Sequence, residues 1–142
     1  MLIRDYMSRD VIVLHPEETV LTAARLMSRH NIGSIPVCTA DHRLRGIVTD
    51  RDVVLRCVAL GYDPEATPVS EIMTRNIVSL PSSAEVSDAP AVMAHRRIRR
   101  VPVTEGNRLV GVITLGDITR RKEFSAEAAQ ALCEISDNIQ RL

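Results

Sequence analysis

Gly46-Ile47-Val48-Thr49-Asp50-Arg51-Asp52 and Gly111-Val112-Ile113-Thr114-Leu115-Gly116-Asp117 are two versions of one pattern. In each, an apolar strand closes on a threonine, and a carboxylate follows three residues later in the expected first turn of a helix. That spacing has two physical readings. Thr-x-x-Asp is a capping box, in which hydroxyl and carboxylate satisfy N–H groups that a helix start leaves open. A helix start is also the positive end of the macrodipole and attracts phosphate. A carboxylate there can accept from two vicinal hydroxyls of a ribose, and threonine adds a donor and an acceptor at the same rim. The motif alone leaves both readings open.

Outward from the motif the two halves keep matching. Adding 66 to a first-half number pairs Met7 with Met73, Arg9 with Arg75, Leu14 with Leu80, Val20 with Val86, Met27 with Met93 and Pro36 with Pro102. The offset then becomes 65, pairing Leu44 with Leu109, Gly46 with Gly111, Asp52 with Asp117 and Arg56 with Arg121. The lost residue falls between Thr39–His42 and Glu105–Asn107, a turn, where changes in length are tolerated. Such a period exceeds the ~20–50 residues of solenoid repeats, so the chain is two copies of a small α/β unit. A unit of about 60 residues buries only ~60% of its surface by itself. The copies are therefore expected to share a core through their sheets as a pseudo-two-fold pair.

Each copy predicts the same order of elements. A short strand (Val11–Leu14; Ile77–Leu80) leads to a helix, which in the first copy opens at Thr19 as N-cap and carries Val20, Ala23, Ala24 and Met27 on one face. A hairpin follows, Ile35–Cys38 with Arg45–Thr49 and Val101–Thr104 with Val110–Thr114, the second turned by Gly106-Asn107. Behind the first hairpin, Val53, Val54, Cys57 and Val58 form an expected buried stripe, stopped by Gly61. Tyr62–Ala66 is a linker, and Thr67-Pro68 has the form of an N-cap with proline at N1. Pro90 stands where the first copy has helical Ala24, so the second helix should start late, near Ser87 or Asp88, or kink.

Composition narrows the function. The 142 residues are 45% hydrophobic and 25% charged, the size of one folded domain. Eighteen basic residues balance eighteen acidic ones, which removes the charge footprint of a nucleic-acid binder. Tyr6, Tyr62 and Phe124 are too few aromatics for a base-stacking platform. No apolar run reaches the ~18 residues of a membrane span, and Met1-Leu2-Ile3-Arg4-Asp5 lacks a signal peptide's apolar core, so a cytoplasmic location is expected. Cys38, Cys57 and Cys133 are odd in number and far apart, which argues for reduced, buried thiols. His15, His30, His42 and His95 show no i, i+4 metal pair, and no nucleophile with a base can be named, so neither a metal nor catalysis is expected. All basic residues except Lys122 are arginine. Genomic base composition produces that bias, and so does a preference for guanidinium forks on phosphate.

Beyond Lys122-Glu123-Phe124 a further helix begins at Ser125 as N-cap, with Leu132, Ile135, Ile139 and Leu142 at coiled-coil spacing. Under three heptads, it cannot stand alone. It either folds back on its own subunit or pairs across a dimer.

Met-Thr/Ser at the start of each copy, Ile35-Pro36-Val37 and Val101-Pro102-Val103 in the hairpins, and the closing Gly-x-x-Thr-x-x-Asp together resemble a CBS-domain pair, or Bateman module, of the small standalone bacterial type. The resemblance covers residues 1–122. It implies two tandem β-α-β-β-α repeats, at 1–61 and 70–122, joined through 62–69 and followed by a C-terminal helix at 123–142. It also implies a homodimer, and inter-repeat clefts that bind an adenosine-containing regulatory ligand: AMP, ADP, ATP, S-adenosylmethionine or a dinucleotide. No cofactor beyond that ligand is implied. Carried over by position, Asp52 and Asp117 would hold ribose beside Thr49 and Thr114, with Ile12 and Val78 near adenine. Arg99 and Arg100 occupy the place from which the family often holds phosphate, where the first copy has Gly33 and Ser34. Within His95-Arg96-Arg97-Ile98-Arg99-Arg100, the alternative is a solvated helix end that favours cations. The expected function is a ligand-sensing module that passes a conformational change to a protein partner. A constitutive dimeric scaffold with empty clefts is the alternative.

Overall fold

A computed structural model of the chain describes residues 1–120 and 125–140. They form two compact units: one is Ile12–Ile77, and the other combines Met1–Val11 with Val78–Leu142. These units are out of step with the sequence repeat, because the segment leading into each copy packs beneath the other copy's hairpin.

In the contiguous unit, α1 (Val20–His30) is capped by the Thr19 hydroxyl, which accepts from the Thr22 N–H at 3.2 Å, and ends on left-handed Asn31. Val20, Ala23 and Met27 point inward, as expected, and Ala24 is half-buried. β1 (Ser34–Cys38) and β2 (Leu44–Thr49) pair antiparallel with Ser34 opposite Thr49 and a bulge at Val37/Cys38. The core beneath them contains Leu14, Ile35, Val48 and Cys57, and Ile72 of the returning segment joins it.

The strand expected at Val11–Leu14 is reduced to one parallel bridge, Leu14 to Val37. Leu14 donates to the Pro36 carbonyl at 2.9 Å and accepts from Cys38 N–H at 2.8 Å. The next bond of a parallel ladder would need an N–H on Pro36, and proline has none. Pro102 imposes the same limit in the other unit, where β3 is only Leu80–Pro81 instead of Ile77–Leu80.

After β2 the helix also departs from expectation. α2 (Asp50–Val53) widens into a π-turn over Val54–Val58, with Ala59 N–H on the Val54 carbonyl and Tyr62 N–H on the Cys57 carbonyl. The extra residue per turn rotates the face, so Cys57 is fully buried while Val54 and Val58 are more than half exposed. Gly61 does end the element, at φ +75°. Thr67 is not an N-cap: its hydroxyl donates to the Asp63 carbonyl at 2.8 Å, and Pro68 takes the cap position of a 3₁₀ turn over Val69–Glu71.

In the second unit, a 3₁₀ turn at Val86–Asp88 precedes α3 (Ala89–Arg96), with Pro90 in its first turn where the missing N–H costs nothing. The late start is as the sequence predicts. β4 (Arg100–Glu105) lies between β3, parallel, and β5 (Arg108–Thr114), antiparallel. Ile3, Met93, Val101, Ile113 and Ile118 are fully buried together. α4 (Leu115–Thr119) follows β5, and α5 (Ser125–Gln140) folds back onto α3 and α4.

The inward residues of α5 are Ala128, Ala131 and Ile135, whereas Leu132 is exposed. Small alanines let α5 approach α3 and α4 closely, which turns Leu132 outward and with it Cys133, expected on an apolar face but exposed. The Ile139 side chain, the Ser125 cap, Leu142, Lys122 and Phe124 lie outside the described residues.

Candidate functional site

Both Thr-x-x-Asp motifs form complete capping boxes. In the first copy the Asp52 N–H donates to the Thr49 hydroxyl at 3.0 Å, and Asp52 Oδ2 accepts from the Thr49 N–H at 3.0 Å. In the second, Asp117 N–H to Thr114 Oγ1 is 3.1 Å and Thr114 N–H to Asp117 Oδ2 is 2.9 Å. Five residues of α4 and four of α2 leave little macrodipole, and the boxes already satisfy the leading N–H groups. Any chemistry at these rims therefore rests on the carboxylates and their neighbours.

Those neighbours differ between copies. Asp52 is buried, and its two oxygens also accept from the Thr74 hydroxyl, at 3.2 Å to Oδ1 and 3.1 Å to Oδ2. Arg56 Nε lies 3.8 Å from Oδ1, while Arg56 Nη1 donates to the Ile72 and Met73 carbonyls at 3.2 and 3.3 Å. Asp117 is partly exposed, and among the described residues it meets, beyond its box, only the Arg120 guanidinium, at 3.6 Å from Oδ1, on a side chain 79% exposed. An ion pair that open contributes little. The repeat matches Ser8, which lies in the unit that holds Asp117, to Thr74. Ser8 is held by the same backbone bridge, to Val112 in place of Ile47, but its side chain is exposed and makes no such bond among the described residues.

The arginines gather on the second copy's rim. Arg100 pairs with Thr114 across the ladder, and the Arg99 carbonyl accepts from the Leu115 N–H at 2.8 Å. Both side chains are exposed. Arg96 ends α3 and Arg97 is its left-handed cap residue at φ +57°, so these two belong to the solvated helix end. In the first copy Ser34 pairs with Thr49, and the Asp50 carboxylate lies over Gly33 so closely that a Cβ there would meet it at 3.1 Å. One rim thus carries two arginines and one carboxylate; the other carries two carboxylates.

Ile12 is half-buried against the core that underlies Asp52, and Val78 is half-buried in the unit that holds Asp117. No hydrogen bond of the described residues ties either to its carboxylate. Thr74 and Arg56 are the residues that motif reading missed. The repeat register Thr74/Ser8 was visible, but that a hydroxyl there reaches a carboxylate 22 residues earlier is a tertiary fact.

The sequence profile of the CBS domain matches residues 3–58 and 69–123. The chain belongs to the CBS-domain family. CBS domain-containing protein YhcV of Bacillus subtilis is 40% identical over 134 residues, 94% of each chain. Hypoxic response protein 1 of Mycobacterium tuberculosis is 38% identical over 132 residues, 92% of each chain. A crystal structure of Hypoxic Response Protein I with two coordinated zinc ions is similar at TM-score 0.78 and 37% identity, over 85% of this chain and 98% of that one. The CBS pair of protein MJ0100, solved with 5′-methylthioadenosine and S-adenosyl-L-methionine, is similar at TM-score 0.73 and 29% identity, over 89% of this chain and 98% of that one.

The two CBS repeats and mixed α/β fold expected from sequence are thus established. Among the described residues no three His, Cys, Asp or Glu side chains converge. Burial pushes the Cys38 thiol up to about 11, and the Cys38 carbonyl meets His15 Nδ1 at 3.2 Å. No helix of the described residues is long and apolar enough to cross a membrane.

Proposed function

We propose that this CBS pair is a regulatory module, not an enzyme, that binds an adenosine-containing ligand at the second copy's rim. Asp117 Oδ1 and Oδ2 would accept from the ribose hydroxyls beside Thr114, Val78 would border adenine, and Arg99 and Arg100 would take phosphate. The observation that carries this reading is that Arg100 stands opposite Thr114 in the ladder, with the partly exposed Asp117 carboxylate boxed onto that same Thr114. Paired guanidinium forks on phosphate give charge-assisted, bidentate bonds, so an anionic nucleotide is favoured over a neutral nucleoside. The MJ0100 pair, with its methylthioadenosine and S-adenosylmethionine, supports the adenosine class. Thr49, Asp52 and Ile12 form the weaker counterpart rim.

Ligand binding becomes regulation when one arrangement of the protein holds the ligand better than another and a partner protein reads the shift. We place a second copy of the chain on the exposed apolar ridge of Val54, Leu55, Val58 and Leu60, in a homodimer. A ridge of large apolar side chains on an ordered helix is costly to leave in water and marks an association surface. Buried free thiols at Cys38 and Cys57 suit a reducing cytoplasm.

The test is a thermal-shift panel on ligand-free protein with AMP, ADP, ATP, S-adenosylmethionine, 5′-methylthioadenosine and NAD. A ligand at 100 times its dissociation constant stabilises by about 2.7 kcal/mol, a shift of several degrees. We expect at least one nucleotide to shift the midpoint, and Asp117→Ala or Arg99→Ala/Arg100→Ala to abolish the shift. A flat panel overturns the sensor and leaves a dimeric scaffold whose boxes are only caps.

A further inference from the structure

We infer that Thr74 is an internal occupant of the first copy's carboxylate, and that it limits the chain to one high-affinity nucleotide site. The inference rests on the ribose-binding reading of the two carboxylates given above. It goes beyond that reading in assigning the difference between them to one hydroxyl.

A carboxylate that grips a vicinal diol needs an acceptor lone pair on each oxygen facing the ligand. Beyond the capping bond common to both copies, Asp52 carries a donor that Asp117 lacks among the described residues. Its Oδ2 already accepts from the Thr49 N–H at 3.0 Å, and the Thr74 hydroxyl lies 3.1 and 3.2 Å from the two oxygens, bridging the face a diol would use. Thr74 is fixed from both sides. Its N–H donates to the Ile47 carbonyl at 2.8 Å and its carbonyl accepts from Ile47 N–H at 2.9 Å, while Arg56 Nη1 holds the carbonyls of Ile72 and Met73 just before it. A β-branched side chain on a pinned backbone has little χ1 freedom, so the hydroxyl stays on its carboxylate.

Ser8 is pinned by the same bridge, with Ser8 N–H to the Val112 carbonyl at 2.9 Å and Val112 N–H to the Ser8 carbonyl at 2.9 Å. Serine lacks the γ-methyl that restricts rotation, its side chain is exposed, and among the described residues Asp117 Oδ1 meets only the loose Arg120. At this position the two rims therefore share a backbone bridge and differ by one methyl group. A ligand entering at Asp52 must first displace a hydrogen bond to a charged group, which lowers its affinity by about tenfold to a hundredfold.

Equilibrium dialysis of labelled AMP against the full chain tests this, with Thr74→Val as the isosteric variant that keeps the methyl and removes the hydroxyl. The wild type is expected to bind one AMP per chain, and Thr74→Val two. In an Asp117→Ala background the wild-type threonine should leave no tight site, and Thr74→Val should restore one. Ser8→Thr lies outside the unit Ile12–Ile77 that holds Asp52 and provides a reciprocal test, and it should weaken the wild-type site about tenfold. Two equal sites in the wild type, or one site in both wild type and Thr74→Val, overturns the role of Thr74 and leaves the ribose reading intact. No binding to any variant, with each shown folded by circular dichroism, overturns the ribose reading and with it the inference.

Discussion

Replacing Gly46 with alanine tests the join between the hairpin and the segment that returns beneath it. An added Cβ would lie 2.8 Å from the Thr74 carbonyl oxygen and 2.9 Å from Met73 Sδ. The thioether can swing aside, but the carbonyl is backbone and is held by Ile47 N–H at 2.9 Å. Relief of the contact must lengthen that bond and its reciprocal. Two backbone bonds at about 0.5–1.5 kcal/mol each, with an overpacking strain of about 1–3 kcal/mol, place the loss at about 2–6 kcal/mol. For a chain of this length roughly 3–5 °C accompanies each kcal/mol, so the melting midpoint should fall by about 6–30 °C. Gly116→Ala is the internal control. Its Cβ meets only Thr114 Oγ1 at 3.6 Å, an ordinary contact, and alanine is favoured over glycine in a helix by up to about 1 kcal/mol. Scanning calorimetry of both variants and wild type at one pH reads the result. Gly46→Ala melting within 2 °C of wild type, or at or above Gly116→Ala, would refute the close-approach argument.

Thr114→Ala removes the hydroxyl that caps α4 and should cost about 1 kcal/mol in urea denaturation, with the m-value unchanged. Met93→Ala empties a fully buried site between α3 and the sheet and should cost about 2–5 kcal/mol by the same assay. At neutral pH a thiol reagent should titrate exposed Cys133 in the native protein, and Cys38 and Cys57 only after unfolding. Burial raises Cys38 to about 11, so the folded state holds that proton longer than the unfolded chain does. Its stabilising contribution is intact below the ordinary thiol value and lost as pH climbs through about 11; a Cys38→Ala variant should lack that part of the alkaline decline. Val58→Glu should convert a dimer to a monomer in light scattering with the circular dichroism unchanged; an unaltered mass would remove the ridge from the interface.

Much of this fold was legible because its rules are local. Both hairpins, the Thr19 cap, the Gly61 stop, the late start forced by Pro90 and the two Thr-x-x-Asp boxes each depend on residues within one turn of one another. The pairing of Arg100 with Thr114 was legible too, since the register of a hairpin follows from its turn and strand lengths. What stayed hidden was set by contacts distant in sequence. The π-turn that exposes Val54 and Val58 has no signature in an apolar run whose spacing fits an ordinary helix. The shortness of the parallel strands follows from Pro36 and Pro102, but only once their neighbours in the ladder are known. The occupancy of Asp52 by Thr74 required the fold itself.

The interleaving of the two units sets an order of events during synthesis. Residues Ile12–Ile77 form a unit from one continuous stretch of chain, including the Ile47–Thr74 bridge. Ile3 waits for the Ala84 carbonyl, and Ser8 for Val112, more than a hundred residues further along. At about 5–20 residues per second the N-terminal segment is therefore unpartnered for roughly 5–20 seconds. Ile3 sits in the centre of its core, so that unit cannot close until the C-terminal half arrives. The first residues to be made are among the last to fold.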